Sequence, residues 1–508
     1  MIARADGDRR AALGAAAVFV VAALVATQLG TWTDEEYTLA TTGAGPAYAL
    51  HRALTYELQA PLYFVLEAVW REANGSLWWA RLPSLLCTLA LFFVFRRIGR
   101  RLVPEANSLP FATLATLNPF VVFAAFEIRL YALALLLAGC MWLLFEAGFV
   151  ADADADARGL TLTRIGFVAV TIAAIYVQYF LAFALVGYAV VLAVRVERRA
   201  FVPFALACAP IVLAALPLAL WARGQVGGYE TAGPTLAYLL RHTSLHPWID
   251  FLFPYERDWD LTRWPRAIYD AIVGLTLASL FVWRARLSRN DWSWIAAAIA
   301  VECVYLALLA GLRLQLDDRH YVALYVPLAV AAYVVVRRAL ESGRATGFAV
   351  LGLCAMLTLA VLVTRYRHLA EPGDWRRVGA YLETAAKPGD AIVVYAADAA
   401  PALARQYRGD VPIVPFPATP STSVYSVDTL VVHSPEQATR AFGALHRYEH
   451  LWFVSDVRCR SDETLYGCLL VGPAIDRDFT ILGERDFYET SVLELLARDK
   501  RGKDTAQP

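Results

Sequence analysis

Apolar runs of about 20 residues recur along this chain from Ala11 to Thr364, and that is the length of helix needed to cross a hydrocarbon core of about 30 Å. The windows fall at 11–29, 81–97, 108–126, 130–149, 163–177, 179–194, 201–221, 266–283, 293–311, 321–336 and 346–364, so about eleven transmembrane helices are expected. With 58% apolar and only 18% charged residues, the 508-residue chain does not have the makings of a water-soluble surface. Its 46 basic residues are balanced by 46 acidic ones, which leaves no global field to attract nucleic acid. The expected fold is a polytopic α-helical membrane protein with outer juxtamembrane helices in residues 1–365, followed by a soluble α/β domain in residues 366–508.

Arginine fixes the expected orientation, because lysine occurs only at Lys387, Lys500 and Lys503. If Arg4, Arg9 and Arg10 hold the N-terminus in the cytoplasm, the cytoplasmic loops should carry the other arginines. Arg96, Arg97, Arg100 and Arg101, then Arg158 and Arg164, then Arg195, Arg198 and Arg199 fit that register, as do Arg284, Arg286 and Arg289 and finally Arg337, Arg338 and Arg344. An odd number of spans then puts the tail outside, together with all eight histidines and a long loop at 222–265. The first apolar segment is read as a retained span, since no small-x-small cleavage site precedes Thr31-Trp32-Thr33-Asp34. Pro61 to Trp70 is too short to cross and is placed as an interfacial or re-entrant helix on the outer face.

In the tail, Asp374 is a plausible N-cap for a helix to about Lys387, and Pro388-Gly389-Asp390 turns the chain into a strand Ala391 to Tyr395. A helix Pro401 to Tyr407, a strand Leu430 to His433, a helix Pro435 to Arg447 and a strand Leu451 to Val454 follow. Cys87, Cys140, Cys208, Cys303 and Cys354 lie in spans, whereas Cys459 and Cys468 flank a polar turn on the outer side, a hairpin arrangement that an oxidising compartment could cross-link, with two free thiols as the alternative.

Three polar groups carry candidate chemistry. Asp34-Glu35-Glu36 follows the first span closely, at a depth where carboxylates are costly and usually functional. Glu127, Arg129 and Tyr131 sit at the outer turn between the third and fourth spans, where Glu127 and Tyr131 would share a helix face. The alternative there is mutual neutralisation of Glu127 and Arg129. Asp317-Asp318-Arg319-His320-Tyr321 precedes the tenth span, and an arginine fork with nearby donors suits a phosphate, although snorkelling beside an aromatic belt reads equally well. His242 and His246 in the long loop have the i, i+4 spacing of two metal ligands, with no third ligand evident. The sequence therefore requires no cofactor and leaves a divalent metal open.

Taken in order, several short motifs resemble the glycosyltransferase C superfamily, in particular the bacterial family of lipid A aminoarabinose transferase, protein O-mannosyltransferases and rhizobial core galacturonosyltransferases. They are Asp34-Glu35, Pro61-Leu62-Tyr63, Arg81-Leu82-Pro83-Ser84, Pro119 through Glu127-x-Arg129-x-Tyr131, Arg319-His320-Tyr321 near Pro327, and Asp374-Trp375-Arg376 through Pro388-Gly389-Asp390. The resemblance spans nearly the whole chain. It implies an inverting glycosyltransferase of the bacterial inner membrane, moving a sugar from a polyprenyl-phosphate donor to a lipid, glycan or protein acceptor on the periplasmic face. It also implies Asp34 as general base supported by Glu35, and Arg319, Tyr321 and His320 as donor-phosphate ligands with Arg129 and Tyr131 in the same cavity. Gln59-Ala60 replaces a basic residue common before the Pro-Leu-Tyr helix, and Gln178 stands where histidine is common, so a different donor head group or acceptor is expected.

Two competing readings use the same residues. A transporter or flippase of a lipid-linked sugar would explain Glu302 in the ninth span and Glu67 in the interfacial helix, but the chain lacks the internal repeats expected of one. A catalytically silent relative acting as a binding module would not need Asp34.

Overall fold

The computed structural model describes residues 2–103, 108–150, 157–225, 271, 287–312, 318–342, 344–371, 373–421, 429–455, 459 and 467–498. By packing, the chain divides into two compact units, 1–26 with 44–54 and 58–365, and 27–43 with 55–57 and 366–508.

The first unit is a helical bundle. Its described helices are α1 (Ile2–Ala26), α3 (Pro46–Thr55), α4 (Leu62–Arg71), α5 (Leu77–Leu102), α6 (Leu109–Leu117), α7 (Pro119–Phe126), α8 (Tyr131–Phe145), α9 (Ala157–Val177), α10 (Ala184–Arg195), α11 (Arg198–Gln225), α12 (Arg289–Leu312), α13 (Val322–Ser342) and α14 (Arg344–Tyr366). The second unit contributes α2 (Thr33–Thr41), which lies between α1 and α3 in the chain. Among the described residues seven helices are long and apolar enough to cross a membrane, and an eighth span results if α6 and α7 count as one. The windows at 11–29 and 179–194 appear as the shorter apolar helices Ala12–Ala26 and Tyr179–Arg195, and 266–283 lies outside the described residues except for Ala271. Large apolar side chains such as Leu213, 72% exposed, face outward from these helices, as a surface bathed in lipid tails requires.

Close helix approach is built on small residues. A Cβ on Gly139 of α8 would come within 2.6 Å of Val94 on α5, and one on Gly187 of α10 within 2.9 Å of Val301 on α12. The arginine-bearing helix ends gather at one end of this unit. Arg195 reaches Glu146 at 3.9 Å and Ser293 at 3.0 Å, and Arg338 pairs with Asp291 at 2.7 Å. The ends of α8, α10 and α13 and the start of α12 therefore meet in this unit.

The expected continuous span at 108–126 is broken. Helices α6 and α7 meet at 61°, because Pro119 offers no N–H and forces Asn118 out of the helical region, to φ −52° and ψ 135°. The Asn118 side chain then accepts from the Phe120 amide at 3.0 Å and caps α7.

In the second unit the tail forms a five-stranded sheet of order β2-β1-β3-β5-β4, with β1 (Ala391–Tyr395), β2 (Ile413–Pro415), β3 (His450–Ser455), β4 (Phe479–Phe487) and β5 (Thr490–Ala497). β1 is parallel to β2 and β3, whereas β5 is antiparallel to β3 and β4. Alternation along β1 serves two cores. Val393 and Tyr395 join Phe442, Val471 and Ile475 on the side of α17 (Pro435–Leu445) and α18 (Cys468–Asp478). Ile392 and Val394 join Trp375, Leu382 and Leu403 on the side of α15 (Trp375–Ala385) and α16 (Ala400–Gln406). A strand covered on both faces reads as the continuous apolar run it is.

One tail expectation changes. Leu430 to His433 is not a strand; its amides and carbonyls are met instead by Ala397 N–H at Leu430 O, 3.2 Å, and by the Tyr395 hydroxyl at Val432 N, 3.0 Å. Cys459 and Cys468 form the expected disulfide, with Cys468 opening α18, and the turn expected between them lies outside the described residues. Asp374 stands at the expected N-cap of α15, in a left-handed conformation, and its carboxylate accepts from the Arg377 guanidinium at 3.0 Å.

Asp390 secures the sheet. Its carboxylate accepts from the Lys387 amide at 2.9 Å and the buried Trp452 indole at 2.9 Å, with His450 at 3.1 Å. Burial pushes its pKa up, but these three donors outweigh burial and hold it below the ordinary 3.8. A depressed carboxyl contributes stability above its unfolded value and loses it as pH falls through the folded value. Asp390→Ala, which strands the indole donor, should cost the tail about 2 kcal/mol at neutral pH. Limited proteolysis of the tail in the intact protein should show this, with the gap between variant and parent closing below pH 3.8.

Candidate functional site

The sequence-derived candidates fall on both units, and the structure gives each a local setting. Asp34, Glu35 and Glu36 occupy the first turn of α2 in the second unit. Carboxylates suit a helix N-terminus, where unmatched amides and the helix dipole favour negative charge. Glu35 is fully buried and its carboxylate accepts from the Trp32 amide at 3.4 Å, so it caps the helix start. Glu36 is buried against Arg405, with Nη2 at 2.7 Å and Nε also in contact. Asp34 alone of the three is half-buried, and Thr38 donates its hydroxyl to the Asp34 carbonyl at 3.2 Å. Tyr37 donates to Asp398 at 2.7 Å, and Thr41 donates to Glu57 at 2.7 Å.

The same unit holds a cavity of about 300 Å³ beside this segment, lined by Gln28, Thr31, Glu371, Asp374, Trp375 and Arg376 among others. It presents both signs of charge and an indole. Burial raises the Asp374 pKa, with the Arg377 charge opposing it.

In the first unit, Glu127 to Leu130 form a non-helical turn between α7 and α8. Glu127 and Tyr131 therefore do not share a helix face: Glu127 has extended backbone, φ −84° and ψ 137°, and α8 begins only at Tyr131. All three predicted residues are nonetheless interior, with Glu127 at 0%, Arg129 at 3% and Tyr131 at 2% exposure. The Arg129 guanidinium lies 6.0 Å from the Phe64 ring of α4, the helix that opens at the Pro-Leu-Tyr motif. Ser84 of α5 donates to the Glu127 carbonyl at 2.6 Å, and Arg81 donates to the Ala26 carbonyl at 2.9 Å. The Arg-Leu-Pro-Ser motif thus pins the end of α1 and the Glu127 turn to α5, a role the sequence did not disclose.

Arg319, His320 and Tyr321 lie in a short 3-10 turn, Asp318–Tyr321, at the head of α13. Arg319 and His320 are half-buried and Tyr321 is buried. Tyr305 of α12 donates to the His320 carbonyl at 2.8 Å and its ring lies 4.9 Å from Tyr321. Phe180, just after Gln178, stands edge-on to His320 at 6.2 Å. His320 and Tyr321 therefore sit in a region walled by Phe180 and Tyr305. Gln59 is half-buried, and its backbone N–H donates to the Ala53 carbonyl at 3.0 Å. His242, His246 and Asp317 lie outside the described residues. Among the described residues no group of three or more His, Cys, Asp or Glu has the arrangement of a metal site.

Fold and composition together define a polytopic helical membrane protein carrying an α/β domain. The sequence matches no protein-family model and no curated protein. Among solved structures it is similar to ArnT from Cupriavidus metallidurans in the apo state, at 16% identity over 95% of this chain and 98% of that one, with a TM-score of 0.41. The same ArnT bound to undecaprenyl phosphate gives 16%, 95%, 97% and 0.41. The apo oligosaccharyltransferase of Archaeoglobus fulgidus is 12% identical over 92% of this chain and 72% of that one, with a TM-score of 0.43.

Proposed function

We propose that this chain is an integral-membrane glycosyltransferase that moves a sugar from a polyprenyl-phosphate donor to an acceptor at the outer face of the bacterial cytoplasmic membrane. The observation that carries the reading is the first turn of α2. There two carboxylates are buried to build the helix, while the third, Asp34, keeps access to solvent directly after the first span. In the reaction an acceptor hydroxyl attacks the anomeric carbon, the bond from that carbon to the phosphate oxygen breaks, and polyprenyl phosphate leaves with the electron pair. Asp34 takes the hydroxyl proton, and attack opposite the leaving group inverts the centre. Arg319, with His320 and Tyr321 beside it, neutralises the departing phosphate, with Arg129 and Tyr131 as further donors. Glu35 supports the base by capping its helix.

Deleting the protein from its host and comparing envelope lipids, polysaccharides and proteins by mass spectrometry tests the reading. One class of glycan should lose the mass of a single sugar, restored by the parent chain. An unchanged glycan profile with displaced intact donor would favour a transporter.

A further inference from the structure

We propose that the C-terminal domain is the positioning element for Asp34, gripping the segment 28–37 through Arg376, Asp398 and Arg405. The inference rests on the reading of Asp34 as the base and adds what holds that base in place.

Helix α2 is only nine residues long, far below the length at which a helix is stable by itself in water. Its direction is therefore set by what it is fastened to. Segments 27–43 and 55–57 group with the tail in one compact unit. Three tail side chains fasten points on both sides of Asp34. Arg376 donates to the Gln28 carbonyl at 3.0 Å. Arg405 meets the Glu36 carboxylate with two nitrogens, a two-point contact that fixes rotation as well as position. Asp398, 2% exposed, accepts the Tyr37 hydroxyl at 2.7 Å.

The place of this grip in the domain is informative. Asp398 stands in the turn that leaves the carboxyl end of β1 and leads into α16, which supplies Arg405. The carboxyl ends of parallel strands are where α/β sheets ordinarily receive their ligands. Here the occupant is the chain's own N-terminal segment. A domain without a phosphate loop or nucleophile elbow thereby acquires a purpose: it orients the acidic helix. Arg376, Asp398 and Arg405 touch no substrate in this scheme and act only through α2.

The test compares Arg405→Ala, Arg405→Lys and Asp398→Asn in the full-length protein in lipid nanodiscs. Amide hydrogen exchange at 33–41 should accelerate at least about tenfold in Arg405→Ala and Asp398→Asn, with β1 and β3 still protected. Restoration of the envelope glycan in the deletion strain should fall at least about tenfold in the same two variants. Arg405→Lys, which keeps the charge but not the fork, should be intermediate in both readouts. Unchanged exchange in α2 would overturn the proposal, and so would accelerated exchange with full glycan restoration. Full restoration by Asp34→Asn would instead remove the base itself, a result recognisable because the exchange rates of the Arg405 variants do not depend on Asp34.

Discussion

Asp34→Asn is expected to lower sugar transfer about 10³-fold, the scale of a lost general base, while leaving the protein folded and its donor bound. Asparagine preserves the shape and the hydrogen-bonding reach of the side chain but cannot accept the acceptor's proton at neutral pH. Glu35 caps α2 and Glu36 is committed to Arg405. Glu35→Gln, by contrast, should loosen the helix start and lower transfer by a smaller factor, since its partner is the Trp32 amide. Transfer rates of the variants, measured with the same membranes and donor, separate the two roles. Equal losses would mean that the trio acts only as a structural unit.

The second large effect is expected at Arg319. Its turn at the head of α13 is walled by Tyr305, Phe180 and Tyr321, so a phosphate bound there would be partly withdrawn from water. Charge-assisted bonds in such surroundings are each worth about 1.5–3 kcal/mol. Arg319→Ala should therefore weaken polyprenyl-phosphate binding about 10–100-fold, with Arg319→Lys recovering part of the loss as a point charge without the fork. Titrating the purified protein with polyprenyl phosphate and following the bound lipid by native mass spectrometry checks this. An unchanged affinity in Arg319→Ala would discard the phosphate assignment while leaving Asp34 untouched.

Much of the membrane architecture was legible because crossing lipid imposes a length and a composition that few other folds demand. Among the described helix ends, Arg195 bonds Ser293 and Arg338 pairs with Asp291. What escaped was local. The break at Asn118-Pro119 was written in the dipeptide, yet apolar length outweighed it. The run Leu430 to His433 has strand composition, but its amide at Val432 is claimed by the Tyr395 hydroxyl and not by a ladder. Strand β4 was missed for the opposite reason: most of its residues are exposed, so Phe479–Phe487 shows no apolar alternation.

The candidate site was legible as residue types and not as connections. Glu127 and Tyr131 were expected on one face because their spacing is helical, whereas the chain turns between them. Arg405 and Asp398 attracted no notice at all. Their partners, Glu36 and Tyr37, lie more than 360 positions earlier, and an arginine and an aspartate in a small α/β domain carry no mark of such an errand. A buried carboxylate near a span end was the only available hint that a cation must come from elsewhere.

The most direct test uses the donor that should accumulate in the deletion strain. Its lipid-linked sugars are extracted and incorporated into proteoliposomes with the purified chain and with acceptor material from the same cells. The account predicts that sugar leaves the lipid, that polyprenyl phosphate appears in equal amount with glycosylated acceptor, and that Asp34→Asn yields neither. Sugar that remains attached to its lipid while moving between leaflets would contradict the account and establish transport in its place.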